Sequence, residues 1–426
     1  PGAVRDEGYV SNQIIGDFYA EYKPKFSDDF SLTVVGGVQT TKNTYKNIFI
    51  SANGLVISGV NNVNNTLTNL GGGLLALEQN INANSSQLGL YGDVRLGYKD
   101  FAFLHFTGRN DWRSVLAKEN RSFFYPAVDF SVILSDAFSL LNNLTWLDAL
   151  KVRGGYSQVG QVNIGPYELE TTFSQIYGYP YSSGGGFSLG NTLVANNLKP
   201  EITTSLEGGF DLDLNYLDAS VGLTVYKSNT VDQTIPVQIP SSTGYNSLRT
   251  NVGEVENKGL ETYFRFTPIT TTEGLSVTLQ ATYSLNRNNV ISLSEDADVM
   301  ILPGSNNNAR IVAEVGSPFP LLQVTKYNRN AEGKIIVDPV TGYPSTDGTF
   351  HSVGTTTPPH ILGFSGEVKY KGFRLAAVAE YRNGHFIYNA ITTAFDFSGA
   401  GIRNTWFNRE RFVVPNSVYE DPENPG

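Results

Sequence analysis

The chain has 426 residues, no cysteine and a formal net charge of −10. These values exclude disulfide frameworks and thiolate metal sites, and they argue against general nucleic-acid binding. No run of about 18 apolar residues is present, so the sequence offers no transmembrane helix. Charged residues make up only 16% of the chain, whereas Tyr (23) and Phe (25) are abundant, as in β-sheets that carry aromatic rings at an interface.

Alternation of apolar and polar residues predicts twelve β-strands. The clearest covers residues 201–213, where Ile202, Leu206 and Phe210 lie on one face and acidic residues lie on the other. In chain order the predicted strands are residues 9–22, 30–42, 87–98, 101–111, 123–134, 149–157, 201–213, 218–231, 257–267, 275–288, 361–371 and 373–383.

The connections between these strands are alternately short and long. The short ones are residues 24–29, 99–100, 214–217, 268–274 and 371–372, with a moderate one at 135–148. The long ones are residues 43–86, 112–122, 158–200, 232–256, 289–360 and everything after 383. This layout is typical of an outer-membrane β-barrel with short periplasmic turns and long outer loops. The predicted fold class is therefore all-β, an antiparallel transmembrane β-barrel.

Residues 1–426 are predicted to form one barrel segment with long extracellular loops. Residues 384–426 contain no returning strand, and unpaired sheet edges are costly in lipid. We therefore expect the barrel to be completed by strands outside this chain.

The two faces of each strand have different expected environments. The side chains predicted most clearly to face lipid are Ile202, Leu206, Phe210, Leu279 and Tyr283. If Leu206 lies near the membrane midplane, arginine in its place should cost about 2 to 4 kcal/mol. Charged residues predicted to face the lumen are Asp93, Arg95, Arg109, Asp111, Lys151, Arg153, Glu207 and Asp211. The aromatic residues assigned to an interfacial girdle are Trp112, Phe124 and Tyr125.

Signatures of catalysis or metal binding are weak. The histidines His105, His351, His360 and His385 are scattered, and no nucleophile motif is present, so neither an enzyme nor a cofactor is predicted. One acidic loop cluster, formed by Glu295, Asp296 and Asp298, is a weak calcium candidate because it lacks the spacing of a dedicated calcium loop.

An aromatic run in the long loop 158–200 is a candidate ligand contact. It consists of Tyr177, Tyr179 and Tyr181, separated by Gly178 and Pro180. Phenol rings displayed in this way suit sugars or peptides, but they equally suit packing against a partner protein.

Several short motifs follow one another along the chain. They include Gly-Arg-Asn-Asp-Trp at residues 108–112 and Asn-Leu-Lys-Pro-Glu at residues 197–201. Further motifs lie at residues 123–128, 134–136, 150–156 with Gly160, 251–261 and 358–373. Together and in this order, they resemble the motifs of SusC/RagA-type TonB-dependent transporters of Bacteroidetes. The resemblance implies the middle part of a large, plugged barrel of about 22 strands. The plug domain and the last strands have no counterpart in this sequence.

The resemblance implies active import of nutrient oligomers, either glycan or peptide, across the outer membrane of a Gram-negative bacterium. Implied partners are a SusD-like surface lipoprotein, contacted by loops 158–200, 289–360 and 384 onward, and the TonB complex, reached through the plug. In a plugged barrel most of the charged lumen residues would contact the plug. The alternatives are a passive or structural barrel, a siderophore-type receptor and a soluble carbohydrate-binding β-protein.

Overall fold

The computed structural model describes residues 2–25, 27–67, 77–170, 172–176, 186–294, 297–302, 308–408, 410 and 412–421. The chain divides into two compact units, Pro1–Glu254 and Val255–Gly426. Within the described residues, no helix has the length and apolar character needed to cross a membrane.

The first unit is built mainly from eight long antiparallel strands. Its strands are β1 (Ala3–Tyr22), β2 (Phe30–Asn53), β3 (Leu77–Tyr98), β4 (Ala102–Arg113), β5 (Ser122–Ile133), β6 (Leu147–Gln161), β7 (Phe173–Ile176), β8 (Gly186–Leu189), β9 (Thr192–Val194), β10 (Glu201–Leu214), β11 (Ala219–Val231), β12 (Thr234–Gln238) and β13 (Ser247–Asn251). Two short helices, α1 (Leu134–Ala137) and α2 (Ser139–Asn142), lie between β5 and β6. The sheet order is β1-β2-β3-β4-β5-β6-β10-β11, while β12-β13-β9 and β7-β8 form small sheets of their own.

The second unit contains four further long strands and a folded insertion. Its strands are β14 (Glu254–Thr270), β15 (Leu275–Ser292), β16 (Val299–Ile301), β17 (Ala309–Glu314), β18 (Leu321–Thr325), β19 (Ile335–Ile336), β20 (Phe350–Thr355), β21 (His360–Tyr370), β22 (Phe373–Asn383) and β23 (Ser417–Val418). One helix, α3 (Ala390–Ser398), follows β22, and short 3₁₀ helices lie at Val63–Asn65, Tyr216–Asp218, Ser241–Thr243 and Ile402–Thr405. The long strands β14, β15, β21 and β22 are neighbours, in that order, within a sheet.

All twelve predicted strands are present, which confirms the predicted fold class. Alternation locates them because the predicted part of each strand has one mainly apolar and one mainly polar face. The tight turns also follow the sequence: Lys99 and Asp100 both adopt positive φ, at 48° and 58°. These two successive left-handed residues form a tight turn in which the Phe101 N–H donates to the Tyr98 carbonyl oxygen at 3.2 Å, and their twist matches that of the flanking strands.

The prediction of a loop over residues 43–86 is wrong at both ends of that range. Strand β2 continues to Asn53 and β3 begins at Leu77, and the two are paired throughout. Residues 43–47 are mostly polar, and Ile48, Phe49 and Ile50 are consecutive apolar residues, so this stretch lacks the alternation from which the other strands were recognised. At about 3.3 Å per residue, the 24 residues of β2 far exceed the 9 to 11 that cross a membrane. The hairpin therefore extends well beyond a membrane.

The predicted long loop 289–360 contains a folded module. Strands β16, β17, β18 and β20 form a four-stranded sheet in which Val312 is fully buried. Val290 and Ala313 pack with Val255 in a small hydrophobic cluster. Sequence alternation missed these four strands because each has only three to six residues.

Candidate functional site

One face of the long sheet is a continuous apolar surface. Across β3, β4, β5, β6 and β10, the register aligns Val94, Phe106, Val128, Tyr156 and Leu206 in one row. Leu206 is 61% exposed. An exposed apolar surface of this extent exceeds what soluble monomers leave to water, so this face suits contact with lipid. The assigned lipid-facing residues Ile202 and Phe210 share this face on β10. In the second unit, Leu279 and Tyr283 lie on one face of β15, paired with Gly366 and Leu362 of β21.

The other face carries the charged residues. All eight predicted lumen residues lie on this face. On each strand they occupy odd-numbered positions, whereas the apolar row occupies even-numbered ones, and the register keeps the two sets on opposite faces. The structure gathers the eight into separate groups along the sheet.

The most buried of these groups surrounds Asp111, which is only 3% exposed. Its Oδ1 accepts a hydrogen bond from Arg109 Nε at 2.8 Å, and its Oδ2 accepts from Gln87 Nε2 at 3.0 Å and from the Tyr125 hydroxyl at 2.6 Å. Arg109 Nη2 also donates to Gln39 Oε1 at 3.0 Å. This group, which we call the Asp111 cluster, ties strands β2 to β5 together.

The assignment of Tyr125 to the aromatic girdle is wrong. Its hydroxyl donates to Asp111, so it lies on the charged face and not at a lipid interface. Its neighbour Phe124 lies on the opposite, apolar face and is 61% exposed, as a girdle residue should be. Adjacent residues of a strand point to opposite faces, and the girdle assignment of both Phe124 and Tyr125 ignored that rule.

A second group on the charged face is centred on His105. Its Nε2 lies 2.7 Å from Asp93 Oδ2 and its Nδ1 lies 2.8 Å from Asp129 Oδ2. Arg95 Nη2 donates to the same Asp93 oxygen at 3.2 Å. Sequence reasoning found Asp93 and Arg95 but missed His105 and Asp129, although both lie on the charged face by the same parity. With its two nitrogens directed at different carboxylates, the imidazole bridges β3 and β5.

Without the His105 imidazole, the carboxylates of Asp93 and Asp129 should repel each other. We expect His105→Phe to destabilise the sheet by about 1 to 3 kcal/mol, since the partly buried carboxylate of Asp93 and the exposed carboxylate of Asp129 both lose a hydrogen-bond partner. Asp129→Asn added to His105→Phe should recover part of that loss, because one of the two negative charges disappears. Urea unfolding of the two single variants and the double variant, as a double-mutant cycle, measures this coupling. Strictly additive effects would contradict a shared network.

The third group lies towards the short-turn end of the strands. Arg153 Nε contacts Asp211 Oδ2 at 3.2 Å, and its Nη2 donates to Thr224 Oγ1 at 2.7 Å. Lys151 lies opposite Asp211 in the register, and Glu207 lies opposite Gly155. This arrangement fixes charges in place on the face of the sheet. It suits electrostatic contact with another protein segment or a solute.

Other predicted site residues are not placed by the structure. Tyr177, Tyr179 and Tyr181 lie outside the described residues, as do Glu295 and Asp296, so these assignments stay predictions. Among the residues that the structure describes, no group of three or more His, Asp or Glu could hold a metal ion.

An outer aspartate illustrates a purely structural role for a loop carboxylate. Backbone and hydroxyl hydrogen bonds from Thr341, with a further backbone bond from Val340, hold the pKa of Asp338 below its usual range. The carboxylate is committed to its own turn, as is common for Asp in loops.

The exposed apolar face and the opposing charged face define the wall of a transmembrane β-barrel. Comparison with known families identifies it further: residues 4–320 match the family described as TonB dependent receptor-like, beta-barrel. The chain belongs to this family, whose members are outer-membrane proteins of Gram-negative bacteria.

Three relatives come from Formosa agariphila, and two of them match almost the whole chain. TonB-dependent receptor P26 is 26% identical over 441 residues, covering 95% of this chain and 41% of the relative. TonB-dependent receptor P3 is 24% identical over 436 residues, covering 96% of this chain and 42% of the relative. The chain therefore spans about two fifths of the length of these relatives.

Solved structures share the fold. The RagAB peptide transporter superposes with a TM-score of 0.77 at 21% identity, over 91% of this chain and 42% of that one. The outer membrane transporter YddB from Escherichia coli gives a TM-score of 0.52 at 11% identity, over 90% of this chain and 44% of that one. The predicted resemblance to SusC/RagA-type transporters is confirmed for family and fold.

Proposed function

We propose that the protein containing this chain imports nutrient oligomers across the outer membrane, driven by TonB. The observation that carries the proposal is the two-faced sheet: an exposed apolar face opposite fixed charge clusters, in a chain of the TonB-dependent receptor family. Transport of this kind needs no covalent chemistry on the substrate. The charged face serves it by contact with a plug domain, since partly buried ion pairs give rigid, specific docking positions.

Peptides are the first substrate class to test, followed by glycans. The fold is shared with a transporter described as a peptide transporter, and the sequence motifs are those of SusC/RagA-type proteins. A SusD-like surface lipoprotein is the proposed outer partner. The long β2–β3 hairpin and the folded module within residues 289–360 supply structured surface for it, and Tyr177, Tyr179 and Tyr181 remain the proposed ligand contacts.

Uptake by cells tests the proposal directly. We expect cells with the full-length protein to accumulate fluorescent oligopeptides or oligosaccharides, and cells lacking the protein or lacking TonB to lose this uptake. Uptake that persists without TonB would indicate a passive barrel. Uptake restricted to ferric siderophores would indicate a siderophore-type receptor.

Purification of the full-length protein in mild detergent tests the partner separately. A surface lipoprotein should co-purify in stoichiometric amount. Recovery of homo-oligomers alone, in several detergents, would contradict the lipoprotein partnership while leaving TonB-driven uptake to be judged by the cell assay.

A further inference from the structure

The apolar face contains a groove across strands β5, β6, β10 and β11. Its volume is about 660 Å³, within the range of small-ligand sites. The side chains that line it from the apolar face are Val128, Phe130, Tyr156, Leu206, Val225 and Lys227.

Two paired glycines make the floor of this groove. Gly208 lies directly opposite Gly154 in the β6–β10 register. A Cβ added at Gly154 would meet the Phe130 ring at 2.9 Å, so that ring lies against the glycine and forms one wall. A Cβ at Gly208 would meet only the Arg153 carbonyl oxygen at 3.8 Å, so the space above Gly208 is open. Val225, paired with Gly208 and 53% exposed, lies on the other side.

A cation lies at the outer end of the groove. Lys227 is exposed and directly opposite Leu206, and it is the one charged side chain that β10 and β11, which are described over their full length, place on their apolar face. Lysine is costly on a lipid-facing surface except near the interface, where its stem covers apolar surface and its ammonium reaches polar headgroups.

The next residue pair on this face beyond Lys227, towards the long connections, is polar. Gln158 Nε2 donates to Thr204 Oγ1 at 3.4 Å, and Asn229 Nδ2 donates to Glu254 Oε1 at 2.7 Å. Thr204 is paired with both Gln158 and Asn229, so this polar row crosses three strands. This polar row interrupts the apolar surface next to Lys227, and the pair Ile202 and Val231 lies beyond it. Lys227 is therefore placed where a lipid headgroup could meet both the ammonium and the polar row.

We propose that this groove binds one acyl chain of an anionic outer-leaflet lipid, with the lipid's phosphate at Lys227. The glycine floor gives the chain a recess that a flat barrel wall lacks, and the Phe130 ring and the Val225 side chain contact it from either side. Lys227 supplies the complementary charge, since lysines near a membrane surface attract anionic headgroups. The inference rests on the proposed outer-membrane position of the sheet.

Lipid titration of the full-length protein, followed by native mass spectrometry, tests the inference. The probes are monophosphoryl lipid A and its dephosphorylated form, which differ only in the phosphate. Gly208→Ile should fill the groove and weaken binding of both probes at least tenfold. Lys227→Gln should weaken the phosphorylated probe about fivefold and leave the other unchanged.

Matched controls come from the same face of the sheet. Gly92 on β3 is equally open, with the nearest atom to an added Cβ at 4.0 Å, so Gly92→Ile controls for added bulk. Lys42→Gln removes an exposed lysine outside the groove. Both control variants should bind the two probes within twofold of the unmodified protein.

The inference is overturned if Gly208→Ile binds lipid as well as Gly92→Ile does, or if Lys227→Gln weakens both probes equally. Cell fractionation separates this result from a failure of the proposed function. Protein that reaches the outer membrane but shows no groove-dependent binding removes the lipid site alone, whereas protein absent from that membrane removes both.

Discussion

Replacing Leu279 by arginine should lower the free energy of unfolding by about 2 to 4 kcal/mol, the cost of a cation near the middle of a lipid-facing barrel surface. Leu279 lies on the apolar face of β15 and is 40% exposed. Gln280, the next residue, points to the opposite face and is also exposed. Gln280→Arg should therefore change stability little. Urea unfolding of the full-length protein in lipid vesicles compares the two, and equal losses would contradict the assignment of the faces.

The cost of an arginine on the apolar face should be largest near the middle of the membrane and small near its surface. Leu206 lies opposite Lys227, next to the polar row, so Leu206→Arg should cost only about 0 to 1 kcal/mol. Phe210 lies four residues further from that row, and Phe210→Arg should cost about 2 to 4 kcal/mol. The cost of about 2 to 4 kcal/mol expected from sequence holds only if Leu206 lies near the midplane, whereas its place beside the polar row predicts a shallower position.

Replacing Asp111 by alanine should lower the free energy of unfolding by about 3 kcal/mol, because removing one partner of a buried ion pair leaves the other uncompensated. Arg109 would lose its carboxylate, and Gln87 and Tyr125 would each lose an acceptor. Asp111→Asn should cost less, since the amide oxygen still accepts a hydrogen bond. The same unfolding measurement distinguishes the two variants.

Asp17 provides the matched control for Asp111. It accepts from the Tyr91 hydroxyl at 2.9 Å and from Gln39 Nε2 at 3.4 Å, but it is exposed to solvent. Exposed polar contacts contribute little, so Asp17→Ala should have a small effect. A loss for Asp111→Ala no larger than that for Asp17→Ala would show that the Asp111 cluster does not stabilise the sheet.

The sequence by itself determined the twelve long strands and the face on which each side chain lies. A strand between lipid and a polar interior must alternate, so Leu206 and Glu207 reveal their environments from position alone. The two-residue turn at Lys99 and Asp100 is equally local. Where alternation fails, as in residues 43–53 and in the module within residues 289–360, the strands depend on partners distant in sequence, and the sequence pattern did not show them.

Only the tertiary structure decided which polar side chains meet. His105 lies 12 residues from Asp93 and 24 from Asp129 in the chain, yet it contacts both, because the register of three strands brings them to one level. The strand register also explains why Tyr125 contacts Asp111 and does not lie at a membrane interface. It likewise pairs Gly154 with Gly208 at the floor of the groove. Periodicity assigns a residue to a face, but its neighbours on that face depend on how far each strand is shifted against the next, which turn geometry and side-chain packing fix together.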